Sequence, residues 1–523
     1  MNRRKVSFSE TMVFIVVGIL LFVNAGAAWA DVKLPAVISD NMVLQQGRKL
    51  SIWGWAQPGE EVMVGVSWHS MKWAVVADKD GKWMFKILPP KTGGPYEMTI
   101  SGKNTIKLKN IMVGEVWVCS GQSNMQMTVQ SSNNPEQEIA AADYPNIRLF
   151  TVARKVATEP QSDCDGSWTL CSPATVPGFS AVAYYFGREL HKKLDVPIGL
   201  IHTSWGGTPA EAWTKREALE KVADAAPILE RYDDVMARYP KAMTEHKQKV
   251  NDWKKAAEKA RAEGKKVPRA PRAPFGPEHH HSPAGLYNAM IAPLVPYNIG
   301  GAIWYQGESN ASRAYQYRKL FPAMIRNWRS DWGLGDFPFL FVQLANFKAV
   351  KPQPAESDWA ELREAQLMTL ALPKTGMAVI IDIGEANNIH PKNKQDVGRR
   401  LALWALSRNY GKKLVYSGPI YKSMRVMGNK IILDFKHIGG GLVAGGDEPL
   451  KGFAIAGMDR EFVWADAKIN GDSIVVSSDK VTAPIAVRYA WADNPVCNLS
   501  NKEVLPASPF RTDNWPGITV DNK

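Results

Sequence analysis

GEVWVCSGQSNMQM, residues 114–127, sets an apolar, strand-like run (115–119) directly against a polar segment that reads as a helix start, with Ser123 on the turn between them. A serine hydroxyl is a weak nucleophile until a base removes its proton and donors hold the developing oxyanion. A strand-to-helix turn exposes Oγ beside free backbone N–H groups, which is where such a serine is useful. Taken alone, the tetrapeptide GQSN favours a plainer role for Ser123, capping a helix. The rest of the chain reverses that preference.

Further apolar runs follow between residues 113 and 410: IRLFTV, PIGLIHTSW, GGAIWYQ, FPFLFVQLA and MAVIIDIG, with helical segments such as 181–193 and 399–407 between them. Strand-length runs alternating with helices predict an α/β domain of three layers with a mostly parallel sheet, over residues 112–410. A stretch at about 214–281 interrupts it, rich in Ala, Glu and Lys and running into the Pro-rich KKVPRAPRAPFGPE, and this reads as a helical excursion ending in a stiff linker. Residues 31–111 alternate apolar and polar positions in short runs (LSIWGWA, EVMVGVSW, KWMFKIL) broken by Gly, Pro, Asp and Lys, the pattern of an N-terminal β-sandwich. Short β runs return in a C-terminal β region, 411–523, with KLVYSGP, KIILDF, SIVVSS and AVRYAWA.

The chain opens with Arg3, Arg4 and Lys5, continues through an apolar run (12–23) and reaches Ala28-Trp29-Ala30, which predicts a signal peptide over residues 1–30. The run is too short to span a bilayer comfortably, and later apolar stretches are of strand length, so the expectation is a periplasmic or secreted protein without stable membrane insertion. The net charge of +13 is concentrated in residues 241–272, which are nearly free of aromatics; a solvated basic face fits this better than a nucleic-acid site. Four cysteines in an exported chain invite disulfides, and the spacing of Cys164 and Cys171 suits a small loop. No cysteine or histidine spacing matches a metal-ligand set, so neither metal nor cofactor is expected.

Ligands of a parallel sheet collect at the carboxyl ends of its strands. Four such ends are unusual here: GQSN with Ser123; Trp205, Gly206, Gly207 and Thr208; Gln306, Gly307, Glu308, Ser309 and Asn310; and a polar loop that ends in His390. Acyl transfer needs a base near the hydroxyl and several N–H donors aimed at the carbonyl oxygen, and these ends can supply both. His390 is the best base, because the other histidines fall at the linker end (279–281), in β regions, on charged helical faces or, for His202, inside a strand. Backbone N–H groups of Ser123 and of Gly206 or Gly207 suit an oxyanion hole, with a side-chain amide from Gln306 or Asn310. Gln122, Trp205 and Glu308 are the expected substrate contacts.

These segments, with AVISDNMVLQQ (36–46), FSAVAYYFGREL (179–190), GLIHTSWGGTPAEAW (199–213), PAGLYNAMIAPLVPY (283–297), IWYQGESNA (303–311), WAELREAQ (359–366), IHPKNKQDVGRRLA (389–402) and PASPFRTD (506–513), resemble the SGNH-hydrolase superfamily and, within it, the sialate O-acetylesterase-like carbohydrate esterases. The resemblance implies an SGNH-like α/β fold and hydrolysis of O-acetyl esters on an acetylated carbohydrate, with Ser123 as nucleophile, His390 as base and oxyanion donors near Ser123, Gly207 and QGESN. One departure bears on mechanism. Such enzymes carry an acid two or three positions before the histidine, where this chain has Asn387 and Asn388. Asparagine can fix a histidine tautomer without stabilising imidazolium by charge, and Asp382 and Glu385 are the nearest replacement acids. The rival readings are a deacetylase of acetylxylan or another polysaccharide, and a glycan-binding protein on a decayed esterase scaffold.

Overall fold

The computed structural model of the protein describes residues 31–446 and 448–523; the signal-peptide segment lies outside the described residues. In chain order the elements that position the site are β1 (Val43–Gln45), β2 (Leu50–Trp55), β3 (Glu61–Val66), β4 (His69–Val76), β5 (Lys82–Ile87), β6 (Gly93–Ser101), β7 (Thr105–Gly121), α1 (Ser123–Gln126), α2 (Pro135–Ala140), β8 (Tyr144–Thr151), β9 (Trp168–Cys171), α3 (Ala181–Leu194), β10 (Ile198–Ser204), α4 (Arg216–Leu219), α5 (Ala226–Ala262), β11 (Gly301–Tyr305), α6 (Ala314–Trp332), β12 (Phe339–Val342), α7 (Asp358–Met368), β13 (Thr375–Ala378) and α8 (Lys394–Arg408).

Strand β7 joins two parts of the molecule. Its first residues, TIKLKN, alternate between exposed and covered positions and pair antiparallel with β6; its last, GEVWVCSG, are buried on both faces and pair parallel with β10 and β11. One-sided burial requires alternation and two-sided burial a continuous apolar run, so one strand carries both patterns in succession. The boundary expected at 111/112 therefore falls inside a continuous strand. A single hydrophobic core extends from Val32 to Leu406, so the N-terminal β region is fused to the α/β region, with β2 and β5 closing over it where Trp73 of β4 meets Phe85 of β5.

The large sheet runs β13-β12-β11-β7-β10-β8-β9, parallel except for β9. The chain leaves β7 toward β8, returns to β10 beside β7, then crosses to β11 on the other side; β7 is thus where the winding direction reverses, the place where open α/β sheets form a ligand crevice beyond the carboxyl ends. Helices lie on both faces of the sheet. Phe321 of α6 packs on Phe339 and Phe341 of β12, while Trp404 of α8 crosses Gly376 beside Leu340, whose side chain points to the opposite face.

The C-terminal strands build a second core, from Ile431 to Phe510. It docks through buried Arg363, which donates to the carbonyls of Ala492 (2.6 Å) and Asp493 (2.8 Å), and through an Arg511–Glu364 pair at 2.8 Å. WAELREAQ and PASPFRTD thus lock onto each other and hold architecture. The upstream QQ pair does the same work within β7, where Gln45, Gln46 and Tyr410 all donate to Glu115.

Two expectations change. Cys164 and Cys171 are both free: Cys171 is buried at the end of β9, with its thiol directed to the Ala142 carbonyl, and the extended strand carries it away from Cys164. The insertion is dominated by one helix of 37 residues, α5, which continues through Pro240. Its Pro-rich exit folds back, held by Trp253 donating to the Pro268 carbonyl at 2.8 Å, and returns residues 279–281 to the crevice.

Candidate active site

Parallel register sets Gly121, Ser204 and Tyr305 level with one another at the ends of β7, β10 and β11. The next residues of each strand, Gln122-Ser123, Trp205-Gly206 and Gln306-Gly307, therefore emerge along one edge. Gly121 permits this convergence: at φ 140° it lies 2.1 Å, by its would-be Cβ, from the Tyr305 carbonyl, so any side chain would push β7 and β11 apart.

Ser123 is the first residue of α1 and half-buried. The first N–H groups of a helix have no partner inside it, and among the described residues nothing accepts from the N–H of Ser123 or of Gly207. Gly206 packs against Ser123, with its would-be Cβ 3.3 Å from the Ser123 Cβ, but its N–H is given to Gln126 Oε1 at 2.7 Å. Of the two glycines, Gly207 has the free donor. The amides expected beside it are committed elsewhere. Gln306 is fully buried, donating to Asn310 Oδ1 (2.6 Å) and the Thr208 carbonyl (3.3 Å) and accepting from the Tyr317 hydroxyl. Asn310 accepts in addition from the Ala210 N–H at 2.9 Å and donates to Glu211 at 2.9 Å. They brace the strand ends.

The expected substrate contacts divide in the same way. Gln122 is 3% exposed, and its Oε1 accepts from the N–H groups of Gly307 and Ser309, tying the β7 turn to QGESN. Trp205 is half-buried, stacked on His280 at 5.2 Å and lying 5.7 Å from the Arg154 guanidinium, and forms a wall of the crevice. Glu308 accepts from Asn124 at 2.6 Å through Oε1, while burial raises its pKa.

His390 closes a loop, 379–393, that contains neither helix nor strand. Burial, followed by the nearby Lys394 cation, lowers its pKa, which keeps the imidazole neutral and able to accept a proton. None of the four expected partners bonds to the ring. Asn387 is exposed; Asn388 bonds the His390 backbone through Oδ1 to N–H (3.0 Å) and Nδ2 to carbonyl (2.9 Å), and also donates to Glu385. Glu385 accepts the Lys392 N–H at 2.7 Å, and Asp382 holds Arg400 in a two-pronged pair at 2.6 Å. All three hold the loop.

Sequence reading missed Asn124, Lys394 and the triple histidine. Asn124 and Lys394 are buried side chains whose partners come from distant segments, a relation with no local signal; Asn124 at least adjoins Ser123. His281 lies against Gly207 at 4.0 Å from its would-be Cβ, with its pKa lowered by burial against the opposing pull of Glu211 and the Gly207 backbone. It borders a cavity of about 490 Å³ whose lining includes Pro209, Tyr232, Phe275, Ser309 and Arg313, between the insertion and QGESN. Its walls combine apolar and aromatic side chains with the charged groups of Glu211, Arg231, Arg313 and Lys523.

A family model described as "carbohydrate esterase, sialic acid-specific acetylesterase" matches residues 113–253 and 278–407. Among similar proteins, the sialate O-acetylesterase of Rattus norvegicus is 32% identical over 91% of this chain and 94% of its own length, and that of Homo sapiens 30% identical over 94% and 96%. A solved structure, a carbohydrate acetylesterase from Xanthomonas citri, is 38% identical, covers 92% of this chain and 100% of its own, and superposes with a TM-score of 0.79.

Proposed function

We propose, since this chain belongs to the sialic acid-specific acetylesterase family of carbohydrate esterases, that it is an exported serine esterase removing acetyl groups from a carbohydrate. It is a carboxylic ester hydrolase, and its relatives support carbohydrate O-deacetylation as the reaction. The helices on both sheet faces are read as the three layers of an SGNH hydrolase, and the leader at 1–30 as a signal that delivers the protein to a periplasm or beyond. No helix among the described residues is long and apolar enough to cross a membrane.

The observation that carries the mechanism is the common level of three strand ends, which puts Ser123 beside Gly206, with Gly207 next in the chain, at the reversal point of the sheet. Ser123 Oγ attacks the acetyl carbonyl carbon as His390 takes the hydroxyl proton. The oxyanion is held by the N–H groups of Ser123 and Gly207, and collapse expels the sugar oxygen, which receives the proton from His390. Water, deprotonated by His390, then releases acetate and restores Ser123. The cavity under the insertion is the natural seat of the sugar.

Sialate 9-O-acetyl groups are the first substrate to test, following the named relatives. A second reading, an acetylated polysaccharide such as acetylxylan, falls within the broader name, carbohydrate acetylesterase, of the 38%-identical relative. Acetate release from a panel of O-acetylated sialosides and acetylated polysaccharides, with Ser123→Ala and His390→Ala as controls, separates the two. Turnover by Ser123→Ala would defeat the serine mechanism, and no acetate from any glycan would defeat the substrate class.

A further inference from the structure

Asn124 follows the nucleophile directly and is 1% exposed. Its side chain reaches three other segments: Nδ2 donates to the Ile389 carbonyl at 3.0 Å and to Glu308 Oε1 at 2.6 Å, and Oδ1 accepts from Lys394 Nζ at 2.6 Å. Ile389 immediately precedes His390. One side chain thus bridges the residue after the serine and the residue before the histidine.

The surroundings allow the amide one orientation only. A carboxylate and a carbonyl demand the NH₂ on one side, and an ammonium demands the oxygen on the other. Lys394 is fully buried, 5.1 Å from the Tyr305 ring, and burial pushes its pKa down to about 7 against the opposing pull of Glu308 and Glu385. Among the described residues the second, buried Glu308 oxygen has no hydrogen-bond partner. Apolar residues could fill such a space at no cost in stability. What the buried charges add is direction, fixing which end of Asn124 meets Ile389.

We propose that Asn124 is a positioning residue: locked between Glu308 and Lys394, it ties the Ile389 carbonyl, and with it the His390 loop, to the turn that carries Ser123. Through the backbone it supplies only the orienting part of what a carboxylate on the imidazole does in a Ser-His-Asp site, without its charge. The proposal rests on Ser123 and His390 being nucleophile and base.

The test compares Asn124→Asp, Asn124→Ala and Glu308→Ala with Ser123→Ala and His390→Ala in the full chain, measuring kcat, KM and thermal melting with 4-nitrophenyl acetate. Asn124→Asp is isosteric and still accepts from Lys394, but as a carboxylate it cannot donate to Ile389, and it meets Glu308 Oε1 where the amide NH₂ stood. Its kcat should fall about 10²-fold, the scale of an ångström misplacement of a reacting group, with KM within about 3-fold, and melting should fall as well, because two buried carboxylates then face each other. Asn124→Ala should match it, and Glu308→Ala, which loosens the amide without removing it, should lose about 10-fold. A purely architectural residue would lower melting and leave kcat of the folded protein unchanged. Parent-like kcat in both Asn124 variants, with Ser123→Ala and His390→Ala inactive, overturns the positioning role alone. Turnover by Ser123→Ala overturns the reading beneath it, and the proposal falls with it. Should the Asn124 variants fail to fold, unchanged kcat in Glu308→Ala overturns the proposal.

Discussion

The two halves of the site are built differently. The serine half stands on the ends of β7, β10 and β11, where parallel register fixes every backbone position and Gly121 allows contact between neighbouring strands. The histidine half hangs on a loop of 15 residues, 379–393, held by Asn388, by Glu385, by the Asp382–Arg400 pair and by Asn124. A sheet sets geometry through many shared hydrogen bonds, whereas a loop depends on a few side chains. Damage to the first half should therefore remove chemistry with little loss of fold, and damage to the second should misplace a group that is still present.

The largest effect tests the serine half. Ser123→Ala should lower kcat/KM by at least about 10⁴-fold, since one member of a nucleophile–base pair removes most of the catalysis. Stability should change by no more than about 1 kcal/mol, the scale of a lost helix-start contact. Acetate release and denaturant melting on one sample decide this; an unfolded variant would mean that the turn depends on the hydroxyl.

Breaking a support of the histidine half should show the opposite pattern. Asp382→Asn leaves the 6%-exposed Arg400 side chain without its ion partner, at a cost of about 2 kcal/mol given that the carboxylate itself is one-third exposed. Turnover at permissive temperature should fall less than about 10-fold, because Asp382 bonds Arg400 and not the imidazole. A loss of kcat near that of Ser123→Ala would make Asp382 the missing acid.

Acid dependence sharpens the comparison further. His390 works as a base only when neutral, so activity should rise with pH through its pKa, which lies below the ordinary imidazole value of 6.5. The charge that acts on His390 is Lys394 at the start of α8, whose cation pushes the pKa down, while Glu308 and Glu385 in turn act on Lys394. Lys394→Met removes that push, and the acid limb of kcat/KM should move to higher pH. A limb that stays in place, or moves to lower pH, would place Lys394 outside the field of His390.

Much of the serine half was legible because its signals are local. Apolar runs of strand length mark the sheet, and the residues just past them mark its carboxyl edge. The change from alternating to continuous burial along TIKLKNIMVGEVWVCSG is also written in the sequence, although a single strand crossing the expected boundary is not. What stayed hidden depends on distance. Asn124 meets Lys394 across 270 positions, and Gln306 and Asn310, reasonable oxyanion donors by type, are consumed by Thr208, Glu211 and Tyr317. The return of His281 to Gly207 was lost because a Pro-rich stretch reads as a spacer, while here it folds back along α5.

The smallest effect concerns the absent acid. If a carboxylate at 387 or 388 could reach the imidazole, Asn388→Asp would restore a Ser-His-Asp arrangement and raise kcat steeply. The geometry argues otherwise. Asn388 Oδ1 accepts from the His390 backbone N–H, and its Nδ2 donates to the His390 carbonyl and to Glu385. Aspartate keeps the first bond, loses the other two and sets a second carboxylate against Glu385, whose own pKa is held down chiefly by the Lys392 N–H. Asn388→Asp should therefore change kcat by no more than about 3-fold while costing about 1 kcal/mol of stability. Asn387→Asp, at an exposed position, should leave both unchanged. Matching pH profiles of kcat for the parent and both variants would establish that His390 is oriented through its backbone; a rise of 10-fold or more in either variant would show that the loop swings far enough for a carboxylate to reach the ring, and the contrast between a fixed serine half and a tethered histidine half would have to be redrawn.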